Sequence, residues 1–130
     1  MKATRQHVLV FVTAPDRKTA RQLARAALEA RLVACANLVP RIESHYWWHD
    51  KLEVSAEVLI LFKTTRRQLA GLEKLVLAGH PYDTPELIAL PLLAGTQAYL
   101  DWISRSVIVS VRAGSESGRE VRPRARRPGR

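Results

Sequence analysis

Two runs of strand character are each followed at once by a helical stripe, and that alternation restricts the fold more than any other feature of the chain. His7 to Ala14 is short, β-branched and aromatic, and it ends against a proline, as a buried strand does. Asp16 then offers a helix N-cap, and Ala20, Leu23, Ala24, Ala27 and Leu28 recur at the spacing of one helix face. Leu32 to Val39 reads as a second apolar strand closed by Pro40. Arg41 to Trp48 resumes with alternating character, and the chain turns around His49, Asp50 and Lys51 before Ala56 to Lys63 returns as a third strand. Thr65 and Gln68 have capping-box spacing ahead of a stripe made by Leu69, Leu72, Leu75 and Val76. Gly79, suited to a left-handed terminus, and Pro81 end that helix. Glu86 to Leu90 is the last strand, and Gly95-Thr96 opens a helix carried by Leu100, Ile103 and Val107. The order βαββαβ plus a terminal helix predicts an α+β, ferredoxin-like sandwich: four antiparallel strands with helices on one face.

At 130 residues the chain suits one domain with one core. Cys35 is the single cysteine, so no disulfide framework forms, and its presence fits a reducing compartment. The apolar run from Val8 to Val12 is too short for a signal h-region and leads into a helix pattern, and no run reaches the length of a membrane span. A cytoplasmic location is expected. Of the net charge of +9, the seven Arg and two Glu between Arg112 and Arg130 supply +5, leaving +4 on the body. That tail is poor in large apolar residues and rich in Gly, Pro, Ser and Arg, so burial cannot offset its ordering entropy. The expectation is a domain over 1–111 and a disordered basic tail over 112–130. Such a tail can hold polyanions weakly and without sequence preference, while the body is expected to bind no specific nucleic acid.

The segment Ser44-His-Tyr-Trp-Trp-His-Asp-Lys51 concentrates the aromatic residues. His45 and His49 are four apart, but on a strand that spacing spans about 13 Å, too far for both to ligate one ion. Alternation sends His45, Trp47 and His49 to one face and Tyr46 and Trp48 to the other. A ribbon with large rings on both faces leaves some of them wet in a single copy, at roughly 1.5–3 kcal/mol per large side chain. Tyr46, Trp47 and Trp48 are therefore expected to join copies of the chain, with ligand stacking on the rings as the rival use.

The densest polar constellation is His80-Pro-Tyr-Asp-Thr-Pro-Glu86. Its two prolines stiffen a loop that carries an imidazole and carboxylates, a donor set suited to a divalent cation such as Zn or Cu. His80 and Glu86 are the candidate metal ligands. Cys35 reads as a small buried hydrophobe or a ligand contact, and Lys63 as a strand-end cation able to neutralise an anion. With Tyr82 and Trp48 they form the candidate set for a small anionic ligand. Cys35 and His80 lie on separate elements with no spacing that links them as nucleophile and base, so catalysis is not expected.

Thr13-Ala-Pro-Asp16, Ala34-Cys-Ala-Asn-Leu-Val-Pro40, Ser44-His-Tyr-Trp-Trp48, Lys63-Thr64, His80-Pro-Tyr-Asp-Thr-Pro-Glu86 and Tyr99-Leu-Asp-Trp102 stand in the order and spacing of one family. Over about residues 7–107 the chain resembles the CutA divalent-cation tolerance proteins. The resemblance implies a ferredoxin-like fold, a homotrimer joined through edge strands with the Tyr-Trp-Trp segment in the joining hairpin, a cytoplasmic location, and a part in tolerance of divalent cations, copper above all. It also implies a departure. Where copper ligands are credited in this family, a thiol precedes Thr-Ala-Pro-Asp and two histidines precede Pro-Tyr; here those positions are Val12, Gly79 and His80. The alternative function is a regulatory sensor of small anionic metabolites, as other ferredoxin-like trimers are. An RNA-recognition module of the same element order is disfavoured, because Val58 to Lys63 lacks its aromatic series.

Overall fold

The fold is given by a computed structural model that describes residues 1–107. The basic tail expected over 112–130, and the last residues of the expected 1–111 domain, lie outside the described residues. In chain order the elements are β1 (Lys2–Ala3), β2 (His7–Ala14), α1 (Arg17–Glu29), β3 (Cys35–Trp48), β4 (Lys51–Thr65), α2 (Leu69–Gly79), β5 (Leu87–Pro91), β6 (Ala94–Gly95) and α3 (Gln97–Ser106). The four long strands form one antiparallel sheet in the order β3-β4-β2-β5, and β1 pairs with β6 in a separate ribbon. This is the ferredoxin-like arrangement expected from the element order.

Alternation decides which side of the sheet is covered. Val8, Val10, Val12 and Ala14 of β2 and Val58, Ile60 and Phe62 of β4 are buried in one cluster with Ala20, Leu23, Ala24 and Ala27 of α1 and Leu72 and Val76 of α2. The intervening residues, Leu9, Phe11, Leu59 and Leu61, are only half-buried on the other side. α3 closes one end of that second side. The His7 ring nitrogen Nε2 reaches the Leu100 carbonyl oxygen at 3.0 Å and the Ser104 hydroxyl at 2.9 Å, and Leu100 and Ile103 are buried outside the main cluster. The third helix thus departs from the expected placement of all helices on one face.

Several expected boundaries move. β3 begins at Cys35, not Leu32, and runs through Pro40 without ending there. Pro40 and Arg41 sit in a bulge between the Val39–Leu59 and Ile42–Glu57 pairs, with Arg41 at φ 58°. Proline is tolerated there because β3 is an edge strand and the bulge interrupts the ladder. Thr65 still pairs with His7, so its side chain makes no cap; a 3-10 turn over Arg66–Gln68 intervenes before α2. Gly79 is the last residue of α2, and His80 leaves it with extended φ −84°, ψ 138°, so the helix does not end in a left-handed residue. Asp16 does cap α1, accepting from the Thr19 amide at 2.7 Å.

Candidate functional site

The hairpin of β3 and β4 outruns the core. Burial in β4 stops at Glu57, whereas its pairing with β3 continues to Trp48–Lys51. Beyond that point Trp47 and Leu52 face each other across the ribbon, each 70 % exposed, and Val54, 57 % exposed, pairs with His45. On the opposite face Tyr46 and Trp48 are half-buried; the Ser55 hydroxyl donates to Tyr46 Oη at 3.2 Å, and Trp48 meets the His49 ring edge-on at 4.6 Å. His45 bonds the Glu43 carboxylate at 3.0 Å, both largely in solvent.

At the base of the hairpin the sheet meets the loop after α2, and four polar residues close on one another. His80 is buried at the end of α2. Its Nε2 lies 2.7 Å from the Thr13 carbonyl oxygen, which can only accept, so this nitrogen carries the proton. Nδ1 accepts from the Tyr82 amide at 3.1 Å. The rings of His80 and Tyr82 are 4.8 Å apart, and the Tyr82 hydroxyl donates to the Glu57 carboxylate at 3.2 Å. Glu57 is 2 % exposed. The chain Thr13–His80–Tyr82–Glu57 therefore ties the end of β2 to the loop and the loop to the first residue past the bulge. Asp16, three residues beyond Thr13, has its carboxyl held below the usual range by the hydrogen bonds from Thr19, with Lys18 adding a smaller effect.

This geometry bears on the expected metal ligands. As folded, both ring nitrogens of His80 are committed to main-chain partners, so the imidazole presents no lone pair to a cation. Glu86 is half-buried just ahead of β5. Val12, which stands where the resemblance puts a thiol, is fully buried in the core. Among the described residues no group of three or more His, Cys, Asp and Glu side chains comes together as a cage for an ion. The residues at this position do not fit a resident divalent cation in the arrangement described.

The expected anion set is split between three places. Cys35 and Lys63 are brought together: they are partners in the β3–β4 register, and Lys63 Nζ lies 3.9 Å from the Cys35 sulfur and bonds the Asn37 side-chain oxygen. Tyr99 of α3 joins them, its hydroxyl pKa raised by burial and, to a lesser extent, by Cys35. Tyr82 belongs to the His80 cluster. Trp48 pairs with Lys51, and the twelve steps along β4 from Lys51 to Lys63 separate it from Lys63 by about 40 Å in one copy. Glu57 was not singled out from the sequence, and Thr13 and Asn37 stood there only inside the family motifs, with no role of their own. A signal for Glu57 exists: it is the one acid in the otherwise apolar run from Ala56 to Phe62, inside an expected strand.

Comparison with known proteins agrees with this architecture. Residues 8–106 match the family model described as CutA1 divalent ion tolerance protein. A chloroplastic CutA protein of Oryza sativa is 42% identical over 99 residues, which are 76% of this chain and 56% of that protein. The divalent-cation tolerance protein CutA of Thermus thermophilus is 42% identical over 95 residues, 73% of this chain and 92% of that one. The chain thus spans little more than half the length of its plant relative. Among solved structures, that of CutA1 from Oryza sativa superposes with a TM-score of 0.79 at 40% identity, covering 84% of this chain and all of the other. The divalent cation tolerance protein of Thermus thermophilus superposes with a TM-score of 0.76 at 40% identity, covering 78% and 98%. The family match alone spans most of the chain, and the chain belongs to the CutA divalent-ion tolerance family.

Proposed function

We propose that the chain acts as a homotrimeric, cytoplasmic protein of divalent-cation tolerance, in which Tyr46, Trp47 and Trp48 join the copies. One observation carries the reading: the hairpin projects past its own core with Trp47, Leu52 and Val54 in solvent. Three large apolar side chains on one narrow face amount to several kcal/mol of unrealised burial, which a neighbouring copy supplies. Light scattering at micromolar protein tests it. The expected mass is three times the 14.6 kDa of one chain; a particle of 14.6 kDa sinks the proposal.

Within that reading the cation is cargo or signal and not a resident cofactor. Its binding through His80 requires the loop to release either the Tyr82 amide or the Thr13 carbonyl. Titration calorimetry with Cu or Zn on the untagged protein decides whether that happens: equal isotherms for the parent and for His80→Ala remove His80 from any cation site. A second reading, a sensor of small anions, is favoured by one observation, the Lys63 ammonium on the open sheet face beside Cys35, Asn37 and Tyr99. A metabolite library screened by thermal shift, on the parent and on Lys63→Met, separates the two, since a ligand of the folded state raises the midpoint in proportion to its binding.

A further inference from the structure

The end of the sheet farthest from the hairpin gathers arginines. Arg5 precedes β2, Arg66 and Arg67 follow β4, Arg31 follows α1, and Arg105 is in the last turn of α3; all five are exposed. The fold brings their backbones together. The Arg66 amide donates to the Gln6 carbonyl at 2.8 Å, and Arg66 Nε donates to the Arg5 carbonyl. Thr64 Oγ1 donates to the Leu32 carbonyl at 2.6 Å, which places Arg31 beside the end of β4. Arg31 Nη1 donates to the Ser106 carbonyl at 3.3 Å, next to Arg105. The nearby acids are engaged: Glu29 pairs with Arg25 at 2.8 Å, and Asp101 accepts from the Gln97 side chain at 2.9 Å.

Arg31 adds a second, independent sign. It occupies the left-handed position after α1 at φ 59°, with its amide bonded to the Leu28 carbonyl and the Leu32 amide to the Ala27 carbonyl, both at 3.0 Å. That pair of bonds is the Schellman ending, whose left-handed residue is usually glycine. An arginine there keeps a strained backbone and a positive charge among four like charges. Strain held at such a position points to use.

We propose that this end of the domain is a polyanion-binding surface whose occupant is the phosphodiester backbone of single-stranded nucleic acid, taken without regard to sequence. The five exposed cations gathered here are arginines, whose planar fork matches phosphate oxygens in pairs, and Lys63 at the same end of β4 is bonded to the Asn37 side chain. The described chain ends next to this place, at Ser106 and Val107, and the sequence beyond it carries seven further Arg and two Glu, a net charge of the same sign. The proposal rests on charge and backbone geometry at this end and stands apart from the family function.

The test is fluorescence anisotropy with a labelled uridine oligomer, on the full chain throughout. Replacing Arg5, Arg31, Arg66, Arg67 and Arg105 by Gln is expected to weaken binding at least about tenfold at roughly 100 mM salt. The slope of log affinity against log salt flattens by about 0.7 for each phosphate no longer neutralised. Replacing the seven arginines between 112 and 130 by Gln leaves salt-dependent binding in place. Arg31→Gly, which relieves the left-handed strain while removing a charge, raises the thermal midpoint and lowers affinity. The milder pair Arg66→Gln and Arg67→Gln serves if the fivefold variant misfolds. The proposal is overturned if the fivefold variant or the milder pair binds like the parent, if the tail variant loses all binding, or if the parent ignores the oligomer at about 50 mM salt. It is also overturned if phosphatidylserine vesicles hold the protein and the oligomer fails to displace it.

Discussion

Asp16 and His80 show how single side chains fix two neighbouring loops at one end of the sheet. The Asp16 carboxylate holds the first turn of α1 by accepting from Thr19, although Arg17 and Lys18 there oppose the helix dipole. Asp16→Ala should lower stability by about 0.5–1 kcal/mol, the low end of the capping range because the site is exposed and screened by solvent. The pH dependence has a defined sign. The folded carboxyl titrates below its ordinary value, so its contribution is present above the usual carboxylate range and is lost as pH falls through the lowered pKa. Denaturant unfolding of parent and variant at neutral pH and near pH 3 should show their difference narrowing at the acid end. His80 holds the loop after α2, and His80→Ala should cost about 1–3 kcal/mol through its two main-chain bonds, measured the same way. The loop itself was legible, because prolines and a histidine mark it in the sequence. Its partners were not: an acid as deeply buried as Glu57 is contrary to what charge predicts, and the hydroxyl that donates to it lies 25 residues away.

Among the elements, the hairpin carries the clearest local signature and the largest misreading. β3 and β4 are joined by His49 and Asp50 alone, with φ 47° and 61°, a two-residue turn in which both central residues are left-handed. Asn and Gly are the residues that tolerate this turn best. Replacing His49 by Asn and Asp50 by Gly should therefore raise the thermal midpoint by a few degrees, about 1 kcal/mol, without altering the register. A calorimetric scan of the paired variant checks it, and an unchanged or lower midpoint means that His49 has work against Trp48 that outweighs its backbone strain. The four strands of the main sheet and the three helices were read correctly as kinds because apolar period is a direct record of burial, whereas the two-residue strands β1 and β6, too short to show a period, were not expected. Their ends were misplaced at Pro40 and Thr65 for one reason: local chemistry suggested a stop or a cap, and pairing with a neighbouring strand overrode it.

For the whole molecule the decisive feature is how much apolar surface one copy leaves uncovered. Besides the hairpin, the open side of the sheet carries Val39 at its β3 edge and Ile88 and Leu90 at its β5 edge, 40 %, 50 % and 42 % exposed, around the half-buried Leu59, Leu61 and Phe11. Both edge strands also present main-chain groups that a neighbouring strand can pair with. If copies assemble through these surfaces, stability belongs to the assembly and depends on concentration. The thermal midpoint should then rise as protein is concentrated from the nanomolar to the micromolar range. Trp47→Ala with Leu52→Ala removes the two most exposed apolar side chains of the hairpin while leaving the domain core untouched. Truncating a buried interface tryptophan typically costs about 2 kcal/mol or more of binding per contact, and a trimer repeats each contact three times. The doubly substituted protein should therefore dissociate at concentrations where the parent does not, and its midpoint at low concentration should fall to that of the isolated domain. A midpoint independent of concentration in both proteins, with both at the mass of one chain, would place the hairpin's exposed face against some other partner and leave the fold to stand on its core alone.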